Sequence, residues 1–405
     1  MPRGFHWIIA AQFVSALADH ALLIVTIAAL DARGLPGWWA PLLKIGFTLS
    51  YVVLAPVAGA LADAVPKGRL MAWMNAIKGL ACVALMAGMN PVLAFTIAGL
   101  GAAGYAPAKY GLITELVPPR QLVAANGWIE VSVVCAALLG VGLGGYLVSP
   151  HWLGSGLALA TVPDAPLLLS MATLAGLYLL AGLLNLPVPA SHARYPASAI
   201  HPWALCVDFW RANLRLWRDP EGGRLSLSVT TLFWGVGATL QFIVLRWAQD
   251  LLGLSLSEAA YLQAAVAIGV VAGAVAAGRW VPLHRAPGML WAGVALGGLM
   301  AAMAQVRDVP LAVALLLVAG AMGGLMVVPL NALLQHRGHV LLSAGRSIAV
   351  QGFNENASVL ALVGLYALLT GAHWPVQQVM WTFGTAVALA IGALWWGQAR
   401  GRTDA

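Results

Sequence analysis

Twelve long apolar runs constrain this chain more than any other feature of its sequence. A hydrocarbon core about 30 Å thick is crossed by about 20 apolar residues in a helix. Only 9% of the 405 residues are Asp, Glu, Lys or Arg, whereas a soluble domain has about 25%. This scarcity of charge excludes a soluble enzyme, a disordered protein and a nucleic-acid binder, in spite of the net charge of +7. The sequence predicts an all-α polytopic membrane protein with twelve transmembrane helices at residues 5–30, 39–64, 70–89, 92–116, 122–149, 166–188, 223–251, 258–281, 287–305, 309–335, 341–371 and 374–398.

The first apolar run resembles a secretory signal peptide at its start. Arg3 precedes it, and Ala16-Leu17-Ala18 has the small-residue pattern of a cleavage site. The run resumes at Ala21 and continues to Leu30, so the whole segment is long enough to span a membrane. We therefore expect a retained first helix.

The basic residues predict which way the helices run. The odd-numbered loops contain Arg33 and Arg307, whereas far more Lys and Arg residues lie at the termini and in the even-numbered loops. Because cytoplasmic loops of membrane proteins are enriched in Lys and Arg, we expect both termini in the cytoplasm. The residues on that side are Arg3, Lys67, Arg69, Arg120, Arg194, Arg211, Arg215, Arg218, Arg224, Arg279, Arg285, Arg337, Arg400 and Arg402.

The longest connection, near residues 187–221, divides the helices six and six. It predicts an N-terminal six-helix bundle at 1–188, a cytoplasmic linker at 189–222 and a C-terminal six-helix bundle at 223–405. The linker contains an amphipathic helix that is suited to an anionic membrane surface. We expect an interfacial strut, with a specific lipid or partner dock as the alternative. Its apolar face is Trp203, Val207, Trp210, Leu214 and Trp217, and its polar face is Asp208, Arg211, Arg215 and Arg218.

The two halves are weakly repeated at an offset near 222 residues. Residues 107–109 (Pro-Ala-Lys) correspond to 329–331 (Pro-Leu-Asn), and Asp19 corresponds to Gln241. Two parallel, pseudo-symmetric six-helix bundles resemble the major facilitator fold, which implies a binding site between the halves.

Eight charged residues fall inside the predicted spans. Each costs about 2.5–3.5 kcal/mol at the centre of a membrane helix, so partners or water are expected beside them. Function is therefore expected among these eight. Lys44 and Lys78 lie closer to span ends and are expected to reach the headgroups, and Arg246 can reach the outer interface. The eight are Asp19, Lys44, Lys78, Lys109, Glu130, Arg246, Arg346 and Glu355.

The acidic members lie on polar helix faces. Asp19 shares a face with Gln12, Ser15 and Thr26, which predicts a gating or substrate-coupled carboxylate, with a static ion pair as the alternative. For Glu130 a gate and a structural role stay equally open. Helix 11 has a second polar stripe, in which Glu355 is either a state-dependent partner of a cation or part of a packing network. That stripe is Ser347, Gln351, Asn354, Glu355 and Ser358, with Arg346 at its cytoplasmic end.

Lys109 is the best candidate for binding an anionic substrate. Tyr105 and Tyr110 flank it, and their hydroxyls can support a phosphate held by the ammonium. Pro107 removes a backbone hydrogen bond and can open the helix locally. The alternative is a lysine that reaches the cytoplasmic headgroups.

Residues 59–69, between helices 2 and 3, resemble the loop signature of the major facilitator superfamily. Asp63 can accept hydrogen bonds from the N-terminus of a neighbouring helix, and a small residue before it allows close helix approach. We expect a cytoplasmic gate at Asp63, Lys67, Arg69 and Glu130. Ala64 and Pro66 depart from the signature, in which an arginine and a glycine stand there.

A closer resemblance extends over almost the whole chain. The stretches that carry it are 11–19, 104–111, 125–127, 232–235, 327–335, 348–351 and 355–356. Together they resemble bacterial lysophospholipid transporters, which implies transfer of lysophosphatidylethanolamine and lysophosphatidylglycerol to the cytoplasmic leaflet of the inner membrane. The resemblance also implies membrane lipids as surroundings and a separate acyltransferase–acyl carrier protein synthetase that reacylates the product. By motif position, Asp19, Lys109 and Glu355 match polar positions of this family.

The chain departs from this family at three polar positions. The family's Asp-Asn in helix 1 is Asp19-His20 here, and Gln241 stands where an arginine is typical. Arg346 stands where asparagine is common. We therefore expect a rewired contact, either Asp19–Arg346 or Glu355–Arg346.

Other functions fit the sequence less well. A major facilitator exporter of hydrophobic drugs or small organic anions shares the same charge pattern and is the main alternative. A membrane-embedded enzyme would need clustered nucleophile, base or metal ligands. Cys82, Cys135 and Cys206 are scattered and have neither disulfide nor metal spacing, so no cofactor and no metal are expected.

Overall fold

A computed structural model describes residues 4–36, 39–154, 167–191, 193, 195 and 201–401. Over these ranges the chain is helical, and the predicted Arg3, Arg194 and Arg402 lie outside them. Residues 283–289 form a 3₁₀ helix that leads into α11. The α-helices are α1 (Phe5–Ala32), α2 (Trp39–Ala64), α3 (Lys67–Met86), α4 (Pro91–Leu116), α5 (Pro119–Leu147), α6 (Pro150–Gly154), α7 (Leu168–Asn185), α8 (Pro202–Trp217), α9 (Gly223–Leu252), α10 (Leu256–Trp280), α11 (Leu290–Met303), α12 (Val309–Leu341), α13 (Ala344–Gly371) and α14 (Val376–Gly401).

The prediction of twelve spans is confirmed, because twelve helical segments of the described chain are long and apolar enough to cross a membrane. The third span is displaced by three residues at both ends. We predicted it at 70–89, whereas α3 begins at Lys67, directly after Pro66, and ends at Met86. Proline suits the start of a helix because the first backbone N–H groups have no partner within the helix. Lys78 lies near the middle of α3, and it lies near the middle of the predicted span as well.

The helices group into two compact units. Unit 1 comprises residues 1–117, 132–213 and 342–353, and unit 2 comprises 118–131, 214–341 and 354–405. The units are defined by spatial contacts, so residues 118–131 belong to unit 2 and residues 342–353 belong to unit 1. The six-and-six division by chain order stays a prediction.

Unit 2 contains a close pair of helices, α10 and α12. Gly269 and Gly273 face the backbone of α12, and Gly320 and Gly324 face the backbone of α10. A Cβ atom at any of these positions would collide with main-chain atoms of the other helix. Small residues four apart on both helices therefore let the two backbones touch, as is typical of helix pairs in membranes.

Unit 1 contains an apolar core that surrounds its polar residues. Leu22 and Val25 of α1, Leu85 of α3 and Leu174 of α7 are almost completely buried in it. The same helices carry Asp19, Lys78 and Tyr178. The core thus fixes the faces from which these polar side chains meet.

Candidate functional site

A buried ion pair joins α1 to α3 within unit 1. Lys78 Nζ lies 2.7 Å from Asp19 Oδ2, and the side chains are 2% and 20% exposed, respectively. The other carboxylate oxygen, Asp19 Oδ1, accepts a hydrogen bond of 2.8 Å from Tyr178 Oη of α7. Charge-assisted hydrogen bonds of this length are the strong ones, so both oxygens of Asp19 are well satisfied.

Neutral groups complete the surroundings of Lys78. Its ammonium donates to Ser15 Oγ at 3.1 Å, and Ser15 donates in turn to Asn75 Oδ1 at 2.7 Å. The ammonium also lies 5.4 Å and 5.6 Å from the ring centroids of Tyr105 and Tyr178, which is within cation–π range. We call Asp19, Lys78, Ser15, Asn75, Tyr105 and Tyr178 the Asp19 cluster.

Gly101 of α4 makes room for this arrangement. A Cβ atom at residue 101 would lie 2.7 Å from Lys78 Cγ and 2.8 Å from the carbonyl oxygen of Met74. A side chain larger than glycine fits there only if both the lysine stem and the Met74 carbonyl group move.

Two predictions about these charges are wrong. Lys78 does not reach the headgroups, because it lies in the middle of α3 and is 1% exposed. Asp19 is not neutralised by Arg346, since its two oxygens bind Lys78 and Tyr178. Gln241 carries no charge, and the cation beside Asp19 is Lys78 of α3. The Glu355–Arg346 alternative stays a prediction.

Lys109 of α4 is buried and belongs to a second polar chain in unit 1. Its ammonium donates to Gln12 Oε1 at 3.0 Å, and Gln12 Nε2 donates to Ser132 Oγ at 3.1 Å. The ammonium lies 4.1 Å from the ring centroid of Tyr110. Lys109 is 7% exposed, so the alternative of a lysine at the headgroups does not describe its position.

The predicted tyrosine pair around Lys109 is divided between two sites. Tyr110 stacks on Lys109, whereas Tyr105 faces Lys78. The predicted opening at Pro107 is also absent, since α4 runs from Pro91 to Leu116 and has Pro107 inside it. Membrane helices tolerate an internal proline where neighbouring groups compensate for the lost hydrogen bond.

Asp63, at the end of α2, binds the N-terminus of α13. Its Oδ1 accepts from the backbone N–H of Gly345 at 2.8 Å, and its Oδ2 accepts from the hydroxyl of Ser343. Gly59 and Gly345 let the two backbones approach, because a Cβ on Gly345 would lie 2.7 Å from the Gly59 oxygen. This bears out the prediction that Asp63 accepts from a helix N-terminus, where a negative charge is favoured.

A second ion pair lies beside Asp63. Lys67 Nζ is 2.7 Å from Glu115 Oε1, with side chains 5% and 2% exposed. Tyr195 donates to the same Glu115 oxygen at 2.7 Å and accepts from the backbone N–H of Ala344 at 3.4 Å. Burial, together with the hydrogen bond to Glu115, raises the pKa of Tyr195. We call Asp63, Lys67, Glu115, Tyr195 and residues 343–345 the α13 latch.

The remaining predicted residues are spread over both units. Arg69 and Gln241 are exposed, while Glu130 and Gln351 are buried. Asn354 accepts from Trp217 Nε1 at 3.1 Å within unit 2. Arg346 and Glu355 are partly buried.

Glu115, Tyr178 and Tyr195 were not predicted as site residues. A signal existed for the Asp19 cluster, because Asn75 and Lys78 are three residues apart on one face of α3. No periodic signal pointed to Tyr195, which lies in the linker. Two resemblance motifs also meet in unit 2, where the side-chain amides of Asn126 and Gln335 exchange hydrogen bonds of 2.8 and 2.9 Å.

Twelve spans with buried, paired charges define a polytopic membrane protein, and comparisons with known proteins assign it to a class of transporters. The model of the Major Facilitator Superfamily matches residues 8–353. A bacterial homologue of the iron transporter ferroportin, in an outward-facing state, has a TM-score of 0.75 at 15% identity over 98% of this chain and 100% of that one. The human organic anion transporter MFSD10 has a TM-score of 0.72 at 16% identity, with the same shares covered. At these identities the two structures establish the fold alone.

Curated relatives are much more similar in sequence. The lysophospholipid transporter LplT of Serratia proteamaculans (strain 568) is 40% identical over 403 residues, which are 99% of this chain and 97% of the relative. LplT of Escherichia coli O9:H4 (strain HS) is 39% identical over 399 residues, 98% of this chain and 96% of the relative. The chain therefore belongs to the LplT family of the Major Facilitator Superfamily. The relatives are named transporters, so the chain is not an enzyme.

Proposed function

We propose that this chain moves lysophosphatidylethanolamine and lysophosphatidylglycerol across the bacterial inner membrane to the cytoplasmic leaflet. A separate acyltransferase–acyl carrier protein synthetase then restores the second acyl chain. The observation that carries the proposal is the identity of 39–40% over nearly the full length of relatives named lysophospholipid transporters. Both termini are proposed to lie in the cytoplasm, in agreement with the distribution of basic residues.

Transport is proposed to occur by alternating access along a path that is open sideways to the lipid. A lysophospholipid has one acyl tail and an anionic phosphate, so it needs apolar surface together with a cation. Lys109 supplies an ammonium with three donors, and Gln12 accepts one of its hydrogen bonds. Because a phosphate is a stronger acceptor than an amide, it can replace Gln12 on Lys109.

The Asp19 cluster has a different proposed role. Its carboxylate and ammonium neutralise each other at 2.7 Å, so it offers a passing headgroup polarity rather than net charge. The proposed gating residues are those of the α13 latch, with Arg69 and Glu130 beside them in the sequence prediction. Gln241, Arg346, Gln351, Asn354 and Glu355 are proposed to contribute polar contacts along the substrate path.

Reacylation of labelled lysophosphatidylethanolamine in cells that lack their own lysophospholipid transporter tests the function. Cells that produce this chain should convert the label to phosphatidylethanolamine, and cells with an empty vector should not. Lys109→Gln should slow the conversion about tenfold, which corresponds to the loss of about 1.4 kcal/mol of binding. Lys44→Gln is the matched control, because Lys44 is an exposed lysine on α2.

Two results would contradict the proposal. One is a chain that is produced in the membrane but restores no conversion while it exports a drug or a small organic anion. The other is an equal effect of Lys44→Gln and Lys109→Gln, which would remove Lys109 from the phosphate site.

A further inference from the structure

Helix α8 has three different faces rather than the two that its sequence predicts. Phe209, Ala212, Asn213 and Leu216 follow the spacing of one helical stripe, and each is no more than 7% exposed. This stripe is the buried face of α8. In unit 1, for example, the ring centroid of Phe209 lies 5.2 Å from that of Phe353.

The second face is apolar and largely exposed, although the Trp210 ring contacts Phe353, with ring centroids 5.4 Å apart. Trp203, Trp210 and Leu214 are 73%, 51% and 48% exposed, and at 3.6 residues per turn they lie about a third of a turn from the buried stripe. Tryptophan is enriched where a bilayer meets water, because its ring is apolar and its N–H is polar. Exposed tryptophans on a fixed helix thus fit the headgroup level of a membrane.

The third face is basic. Arg211, Arg215 and Arg218 are exposed and lie roughly a quarter of a turn beyond the tryptophans. Asp208 approaches Arg211 only at 3.5 Å, with side chains 36% and 77% exposed, and such a surface pair is weak. This face therefore presents positive charge next to the tryptophans.

The connection that follows α8 is held by ion pairs within unit 2. Arg337 makes two hydrogen bonds to Asp219, of 2.8 and 3.1 Å, and a third contact of 2.7 Å to Glu221. Asp219 also accepts from the backbone N–H of Gly223, at the start of α9. These contacts fix the connection between α8 and α9.

We propose that the tryptophan and arginine faces of α8 form a binding surface for anionic phospholipids, with phosphatidylglycerol as the kind of headgroup it fits. The tryptophans lie at the depth of the glycerol backbone, and the arginines contact the phosphates of the same lipids. Arginine suits this role because its planar guanidinium binds phosphate through two parallel hydrogen bonds. The surface is distinct from Lys109, so lipid bound here is not cargo.

Quenching by brominated lipids tests this surface. The purified full chain is placed in phosphatidylcholine vesicles that contain a minority of phosphatidylglycerol, with bromine on one of the two lipids at equal amounts. Brominated phosphatidylglycerol should quench tryptophan fluorescence more strongly than brominated phosphatidylcholine. The difference should disappear in Trp203→Phe/Trp210→Phe, which assigns it to α8 among the 17 tryptophans of the chain.

Arginine variants test whether the lipid preference depends on the arginines of α8 or on positive charge elsewhere in the chain. Arg211→Gln/Arg215→Gln/Arg218→Gln should abolish the preference for phosphatidylglycerol and leave the thermal unfolding temperature unchanged. Arg120→Gln/Arg224→Gln/Arg285→Gln removes three other exposed arginines and should keep the preference. Equal quenching by both lipids in the unmodified chain, or an equal loss in the control triple variant, would overturn the proposal. Trp203 and Trp210 quenched by neither lipid would mean that protein covers them, and would overturn it as well. None of these measurements depends on transport.

Discussion

Two polar regions of unit 1 handle buried charge in different ways. The Asp19 cluster joins side chains of α1, α3, α4 and α7, and its central ion pair is surrounded by hydroxyls and rings. The α13 latch instead joins a carboxylate to backbone N–H groups at a helix start, and it includes a tyrosine from the linker.

The two regions differ in whether their polar contacts can break without leaving a buried charge unpaired. The ion pair of the Asp19 cluster is short, buried and packed in the apolar core, so breaking it leaves a charge in a medium of low polarity. The latch depends on the N-terminus of α13 lying against α2, and its hydrogen bonds end if that helix start moves away. We infer that the first region stabilises the protein and that the second is able to open.

Removal of the Lys78 charge should have the largest effect. Lys78→Met leaves Asp19 buried without its cation, and breaking such a pair costs about 3–5 kcal/mol. We expect a large fall in the thermal unfolding temperature of the purified protein and loss of lysophospholipid reacylation.

The double variant Asp19→Asn/Lys78→Met provides the control. It removes both charges and should recover a large part of the unfolding temperature, because no buried charge is left uncompensated. If the double variant unfolds at a temperature as low as that of Lys78→Met, the ion pair is not what stabilises this region.

The second-largest effect is expected from weakening the α13 latch, which should impair transport more than stability. Asp63→Asn keeps the shape of the side chain but removes the charge that accepts from Gly345 and Ser343. We expect reacylation to fall about tenfold, as a change of about 1.4 kcal/mol between the conformations involved in transport would produce. The unfolding temperature should change much less than in Lys78→Met. A larger loss of stability than of transport would place the latch with the Asp19 cluster.

Tyr195→Phe should have a smaller effect on the same latch. It removes one hydrogen bond to Glu115 and one from Ala344 but leaves the Lys67–Glu115 pair intact. Each lost bond is worth about 1 kcal/mol. A fewfold change in reacylation is expected, whereas Tyr146→Phe, at an exposed tyrosine, should behave like the unmodified chain.

The smallest effect is expected from the pH dependence of the Asp219–Arg337 ion pair, which lies outside the spans. Burial favours the neutral form of Asp219, but Arg337 and the N–H of Gly223 outweigh it and lower the pKa below the ordinary value of 3.8. The stabilisation is therefore complete above that value and is lost as the pH falls through the lower pKa of the folded protein. The unfolding temperature of the unmodified chain should fall over this acidic range, and Asp219→Asn should reduce that part of the fall.

The sequence predicts the helices better than the contacts between them. Apolar length is a local property, so twelve spans follow from it, and the period of 3.6 residues places Gln12, Ser15 and Asp19 on one face. The partner of Asp19 depends on a neighbouring helix. Lys78 lies near the middle of the predicted span and of α3 alike, so the three-residue error at the start of α3 does not explain why its pairing with Asp19 was missed.

The α13 latch shows a second limit. Asp63 was predictable because the loop motif surrounds it, and an acidic residue suits a helix N-terminus. Glu115 and Tyr195 are far apart in the sequence, and neither follows a repeating pattern. Their meeting with Lys67 depends on the tertiary structure, which places Tyr195 beside Glu115 near the end of α4.

The absence of a side chain at Gly101 has a consequence for how sequences of this kind can change. The stem of Lys78 occupies the space that a methyl group at residue 101 would need. Positions 78 and 101 therefore compete for one volume, and a larger residue at 101 requires a shorter one at 78 together with a shift of the Met74 carbonyl oxygen. A shorter residue at 78 would in turn deprive Asp19 of its cation. We expect the three positions to be inherited together, so that a change at any one of them selects for changes at the other two.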